Sequence, residues 1–142
     1  MSEITLQLIT AFTGSLGFAL LFGMRARHLF YASFGGFISW AVYLAVHSAS
    51  HSEFVSCLAA SIIAMSYAEL MSRLRKCPAT LFIIIAIIPL VPGSSLYYAM
   101  SNAVMGNLES AAFYSHQTLI WVLAIAGGIS FVTAVRELRS KR

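Results

Sequence analysis

Charge is scarce in this sequence: only 10% of its 142 residues are Asp, Glu, Lys or Arg, against the ~25% usual in water-soluble domains. A chain this short must expose much of its surface, so a larger core cannot hide the deficit. The solvent that tolerates such a surface is lipid. Cysteine is scarce too. Cys57 and Cys77 lie twenty residues apart, ~30 Å along a helix, so both are expected as free thiols beyond disulfide reach, unable to share a metal. The sequence has no nucleophile elbow, no phosphate-binding glycine loop and no paired catalytic carboxylates. His28, His47, His51 and His116 contain no H-E-x-x-H zinc motif, since Ser48 rather than Glu follows His47, and residence at span ends accounts for them. Neither enzymatic activity nor a cofactor or metal is expected. Low-complexity stretches and long polar linkers are also missing, which predicts a single transmembrane domain over 1–142 with no soluble domain attached.

What is abundant is apolar sequence, at 59% of residues with a mean hydropathy of +0.82. Runs near the ~20 residues needed to cross a ~30 Å hydrocarbon core occur at about 4–23, 28–47, 54–72, 79–107 and 116–135. The connectors are short: Met24 to Arg27, Ser48 to Glu53, Arg73 to Pro78, and Leu108 to Ser115. The first run is not a secretory signal, because Ser2 and Glu3 precede it and the basic residues Arg25 and Arg27 follow it. All nine basic residues fall in three places: Arg25 and Arg27; Arg73, Arg75 and Lys76; Arg136, Arg139, Lys141 and Arg142. The alternate segments carry Glu3, Glu53 and Glu109 instead. Lys and Arg in short loops mark the cytoplasmic side, so the pattern predicts five transmembrane helices with the N-terminus outside and the C-terminus cytoplasmic. The net charge of +4 therefore belongs to juxtamembrane anchors, and nucleic-acid binding is excluded.

The fourth run contains Pro89 and Pro92 followed by Gly93, Ser94 and Ser95. Proline lacks the amide proton a helix needs and clashes with the preceding turn, and glycine favours a break further. Ser94 or Ser95 offers a hydroxyl to cap a new start. From Ala79 to Ile88 is ten residues, or ~15 Å, which places the interruption near mid-membrane. Unwound backbone at that depth survives only inside protein or against a wet cavity. The second half-helix, about Ser95 to Asn107, would present free amides and the positive end of its dipole. The first would end on exposed carbonyls. A zwitterion could place its carboxylate on the former and its ammonium on the latter, as at the broken helices of secondary transporters. The bland alternative is a kink that shapes packing.

Glu69 is the one acid inside a predicted span. It is either a candidate for proton coupling or half of an ion pair with Arg73, four residues on. Ser66, Tyr67 and Asn102 could line a cavity or bond helix to helix. Gly14, Gly17, Gly35, Gly36, Ser39, Ala60, Ala64, Ala124, Gly127 and Gly128 are explained by close helix packing. Trp40 and Trp121 lie inside spans and are expected to pack on other helices.

From Cys77-Pro78-Ala79-Thr80 through Ile88-Pro89-Leu90-Val91-Pro92-Gly93-Ser94-Ser95-Leu96-Tyr97-Tyr98-Ala99-Met100, the chain resembles the threonine/serine exporter family. Gly17-Phe18-Ala19-Leu20-Leu21-Phe22 and Tyr67-Ala68-Glu69-Leu70 add to the likeness, which is to the small, YjjB-like subunit of the two-component form. Two departures stand out. Gly23-Met24-Arg25 replaces an Asn-x-Pro entering the first loop, and Ile85-Ala86-Ile87 replaces a further Pro-Gly.

The resemblance implies export of threonine, serine or similar small solutes, with a small dicarboxylate such as succinate in some relatives. It implies the bacterial cytoplasmic membrane. It also implies a larger partner with another five helices and a soluble N-terminal portion, the pair forming an inverted repeat and higher oligomers. Substrate would bind at Pro89, Pro92, Gly93, Ser94 and Ser95, with Tyr97, Tyr98 and Asn102 around it. The rivals are a non-transporting assembly subunit, whose fourth helix should be continuous, and a passive channel, which needs a continuous polar path.

Overall fold

Each apolar run folds as a helix, and the left-handed backbone region ends most of them. The computed structural model describes residues 3–140; Lys141 and Arg142, which entered the charge pattern, and Ser2, which entered the signal reading, lie outside the described residues. Helix α1 (Glu3–Leu21) gives way at Gly23, whose φ of +66° suits a residue without Cβ. Helices α2 (Ala26–Ser50) and α3 (Glu53–Arg75) stop at His51 and Lys76, with φ of 51° and 53°. In both, the cap amide turns back to the last turn, His51 N–H to His47 O and Lys76 N–H to Ser72 O. Pro78 then precedes α4 (Ala79–Ile87), which passes into a short 3-10 turn, Ile88–Leu90. Helix α5 (Gly93–Val104) follows at an angle of 60° to that segment. After a turn through Gly106, the last helix α6 runs from Leu108 to Ser140.

The first three helices match the expected runs to within three residues at each end. The last does not. Its 33 residues include Leu108 to Ser115, expected as a connector. Asn107 Oδ1 accepts the Ser110 amide at 3.3 Å and starts the helix there. Hydropathy had marked only its apolar middle. Helices α1, α2, α3 and α6 are long and apolar enough to cross a membrane, and the bent α4–α5 segment is a fifth if it counts as one span.

Helices α2 and α3 form the centre. Helices α1, α3 and α4 pack on α2, and α2, α4 and α6 pack on α3. The packing depends on small side chains: Ala60, Ala64 and Ala68 on α3 and Ala124 on α6 are fully buried. Gly36 faces Ser15 of α1, and Gly128 faces Ser61 of α3. Gly14 and Gly17 depart from expectation, since nothing lies within 4 Å of where their side chains would be. The buried face of α1 is Ala11, Ser15 and Ala19, one helical turn apart. A methyl group at Gly128 would overlap Ser61 Oγ and meet the Leu58 carbonyl oxygen at 3.0 Å, and backbone cannot yield cheaply. Gly128→Ala is therefore expected to cost about 1–3 kcal/mol by overpacking, visible as a lowered thermal midpoint in detergent.

This antiparallel arrangement gathers Arg25, Arg27, Arg73, Arg75, Lys76, Arg136 and Arg139 at one end of the bundle, with Glu3, Glu53 and Glu109 at the other. At the basic end the Arg75 guanidinium lies 3.6 Å over the Tyr31 ring.

Candidate functional site

The fourth apolar run is interrupted where its prolines predict. Pro89 lies in the 3-10 turn, and Pro92, with φ −78° and ψ 58°, stands outside helical geometry immediately before α5. The interruption lies nearer the Glu53 end of the bundle than a half-way break would, however. Nine α-helical residues rise ~14 Å and the 3-10 turn adds ~6 Å, about two-thirds of a ~30 Å core. Packing agrees: Leu90, fully buried, sits with Cys57, Ala60 and Tyr43, toward the Glu53 end of α3.

The two faces of the break differ. On the first half-helix the carbonyls are occupied. Ile85 O takes the Ile88 amide, Ile88 O takes the Val91 amide at 3.2 Å, and Ala86 O takes the buried Ser39 hydroxyl at 2.6 Å. The expected bare carbonyl end is thus closed from α2 and from within the 3-10 turn. Ser39→Ala would leave the buried Ala86 carbonyl short of a partner, at about 1–3 kcal/mol. A lower thermal midpoint with α4 otherwise intact checks this.

The start of α5 is open. No side chain caps it, which corrects the expectation for Ser94 and Ser95. Gly93 N–H bonds to Val91 O and Leu96 N–H to Pro92 O, but among the described residues the Ser94 and Ser95 amides find no acceptor. Around Gly93 there is nothing within 4 Å of a would-be side chain, so the start of α5 is uncrowded at that residue. All of the substantial packing of α5 is on α6.

Beside this opening lies an acid that sequence reading counted only as an outer charge. Glu53 accepts Trp121 Nε1–H at 3.0 Å and Gln117 Nε2–H at 3.2 Å. Gln117 Oε1 in turn lies 3.5 Å from Ser95 Oγ. A chain of polar contacts therefore runs from α5 through α6 to the start of α3. On the opposite side of the break, Gln7, Thr10, Trp40 and Pro89 line a cleft of about 230 Å3, and the Trp40 indole N–H has no acceptor among the described residues. Trp40 and Trp121 both pack on Tyr43, with ring centroids 4.9 and 5.0 Å away.

Other expected residues lie elsewhere. Tyr97 is 67% exposed, and Tyr98 lies against Tyr114 of α6 at 5.3 Å between ring centroids. Asn102 bonds back to Tyr98 O within α5, and Ser66 to Ile62 O within α3. Tyr67 makes a helix-to-helix bond, Oη to Tyr31 O at 2.7 Å. Glu69 pairs with Arg136 of α6 at 3.3 Å rather than with Arg73. Packing of α6 over that face of α3 brings the distant guanidinium in, while Arg73 lines the neighbouring cleft. His28, expected at the interface, is 6% exposed, because the turn from Arg25 folds it inward against Phe82. Cys57 and Cys77 are both free thiols.

A broken helix with open amides inside an otherwise lipid-facing bundle is how carriers are built, and the sequence matches the family described as Threonine/Serine exporter, ThrE, over residues 7–135. The chain belongs to the threonine/serine exporter family. Neither a curated protein nor a solved structure matches it. As a family member it is a multi-pass membrane protein of exporter type, and the break at Pro89–Gly93 falls inside the matched region.

Glu53, Gln117 and Trp121 were missed because their bonds join positions 64 and 68 residues apart. The one available signal was an acid opening α3 in a chain with only five acids.

Proposed function

We propose that this chain is one half of a secondary carrier that exports threonine, serine or a similar small amino acid across the bacterial cytoplasmic membrane. The observation that carries this reading is the pair of unbonded amides at Ser94 and Ser95, at the start of the half-helix α5. Amides and dipole there suit a carboxylate. Glu53, tied toward Ser95 through Gln117, suits the ammonium, since a carboxylate holding two donors has acceptor positions to spare. Pro89, Pro92 and Gly93 keep the backbone open, and Tyr97, Tyr98 and Asn102 lie along the wall that the other half would face.

That other half is a larger five-helix partner with a soluble N-terminal portion. Five is an odd number, so two such halves joined in series point opposite ways and form an inverted repeat. The one-sided basic end fits a half with its N-terminus outside. Succinate as substrate is less well supported, because an acid rather than a base stands beside the break. A non-transporting assembly subunit has no use for an interrupted fourth helix. Glu69, paired to Arg136, serves first as a tie between α3 and α6. If it also couples protons, Glu69→Gln uncouples flux from the proton gradient without ending exchange.

The test is reconstitution with and without the partner, followed by counterflow of labelled threonine, serine and succinate. Saturable threonine or serine counterflow by the complex supports the reading. No counterflow of any of the three defeats it.

A further inference from the structure

The basic end holds a second cavity, of about 360 Å3, far from the break. It lies within the ~300–1,000 Å3 range of small-molecule sites. Gly23 and Met24 of the first loop and Lys76 and Cys77 of the second form its rim, and Phe82 of α4 forms its wall. The ionisable side chains of charged type that line it, Arg25 and Lys76, are both basic. Clefts lined by one sign of charge gather ions of the other.

The rim is held in place. Lys76 adopts φ 53° and ψ 43°, a conformation uncommon for a residue with a side chain. Ser72 fixes the next residue from two sides: its carbonyl takes the Cys77 amide at 3.2 Å, and its hydroxyl donates to the Cys77 carbonyl at 2.5 Å. Cys77 Sγ is thereby set 3.5 Å from Nε2 of His28, itself 6% exposed. The thiol has a second acceptor, Arg75 O, also at 3.5 Å, so Cys77, the buried His28 ring and the Arg75 backbone are held together along one side of the cavity.

We propose that this cavity is a binding site for a small carboxylate at the basic end of the bundle, separate from the break. Arg25 and Lys76 supply the charge, and Phe22, Met24 and Leu81 cover the apolar part of the ligand. An amino acid or short organic acid fits this description. Inorganic phosphate, which has no apolar part, uses only half of it. On the exporter this is where cargo would be held before it reaches α5.

Cys77 is half-buried on the rim, whereas Cys57 is fully buried, so the chain carries its own reporter. The experiment measures the rate at which N-ethylmaleimide, a neutral reagent, modifies Cys77 of the full chain in inside-out membrane vesicles. Threonine and succinate are added in turn, and inorganic phosphate is the comparison. The expected result is saturable slowing by a carboxylate, about tenfold at ten times its dissociation constant. The doubly substituted Arg25→Gln, Lys76→Gln chain should label at the unprotected rate throughout. Both side chains are exposed, so their replacement spares the fold. Unchanged labelling with both carboxylates overturns the proposal. So does slowing by phosphate equal to that by carboxylates, or protection that survives in the double variant. Occupancy is read without flux, so the result does not depend on whether the break carries substrate.

Discussion

Threonine counterflow falls about a hundredfold or more when Pro92 and Gly93 are both replaced by alanine, while co-purification with the partner is unchanged. Proline costs a helix about 3 kcal/mol and glycine about 1 kcal/mol relative to alanine. The double replacement therefore favours a continuous helix by roughly 4 kcal/mol, or nearly a thousandfold in population. Pro89 remains, and one proline bends a helix without unwinding it. Continuity supplies each amide now open at Ser94 and Ser95 with an intrahelical acceptor, so the carboxylate site closes. In the bent conformation nothing lies within 4 Å of a side chain at Gly93, so the alanine itself causes no clash there. The measurement is the initial rate in proteoliposomes. Native kinetics in the double variant would reduce the break to a bend that serves packing.

Glu53→Gln raises the KM for threonine and serine about 10- to 150-fold and leaves succinate unaffected or improved. A hydrogen bond to a charged partner contributes about 1.5–3 kcal/mol, and the amide retains shape while losing charge. Gln117 and Trp121 now both donate to Glu53. One oxygen remains to receive them in the variant, so the local fold changes little. The split between substrates is the informative part. An ammonium needs the acid and a dicarboxylate does not. Equal losses for both substrates, or no loss for threonine, remove Glu53 from the site.

Much of the architecture was legible because its causes are local. Apolar runs, the positions of Arg25 to Arg142 and the two prolines each act on their own stretch of chain. The helices of the first three runs and the interruption at Pro89–Gly93 therefore follow from sequence. Features that depend on tertiary neighbours were not legible. Glu69 has Arg73 at a favourable local spacing, yet α6 delivers Arg136. Ser39 and Ala86 are 47 residues apart, so the closing of the first half-helix could not be anticipated. His28 read as a span-end residue at the interface until Phe82 and Cys77 were placed around it. The 3-10 turn carries the break farther from Ala79 than the α-helical rise of α4 alone would.

The unbroken course of α6 has a mechanical consequence. Its 33 residues extend ~50 Å, gripping Glu69 through Arg136 near one extremity and seating α5 against Tyr114 and Gln117 near the other. A stiff rod fixed this way cannot tilt at its arginine-bearing foot without swinging its head, and α5 rides on the head. Helix α6 thus ties the two ends of the bundle together, and the break at Pro92 lies at the start of the helix it carries.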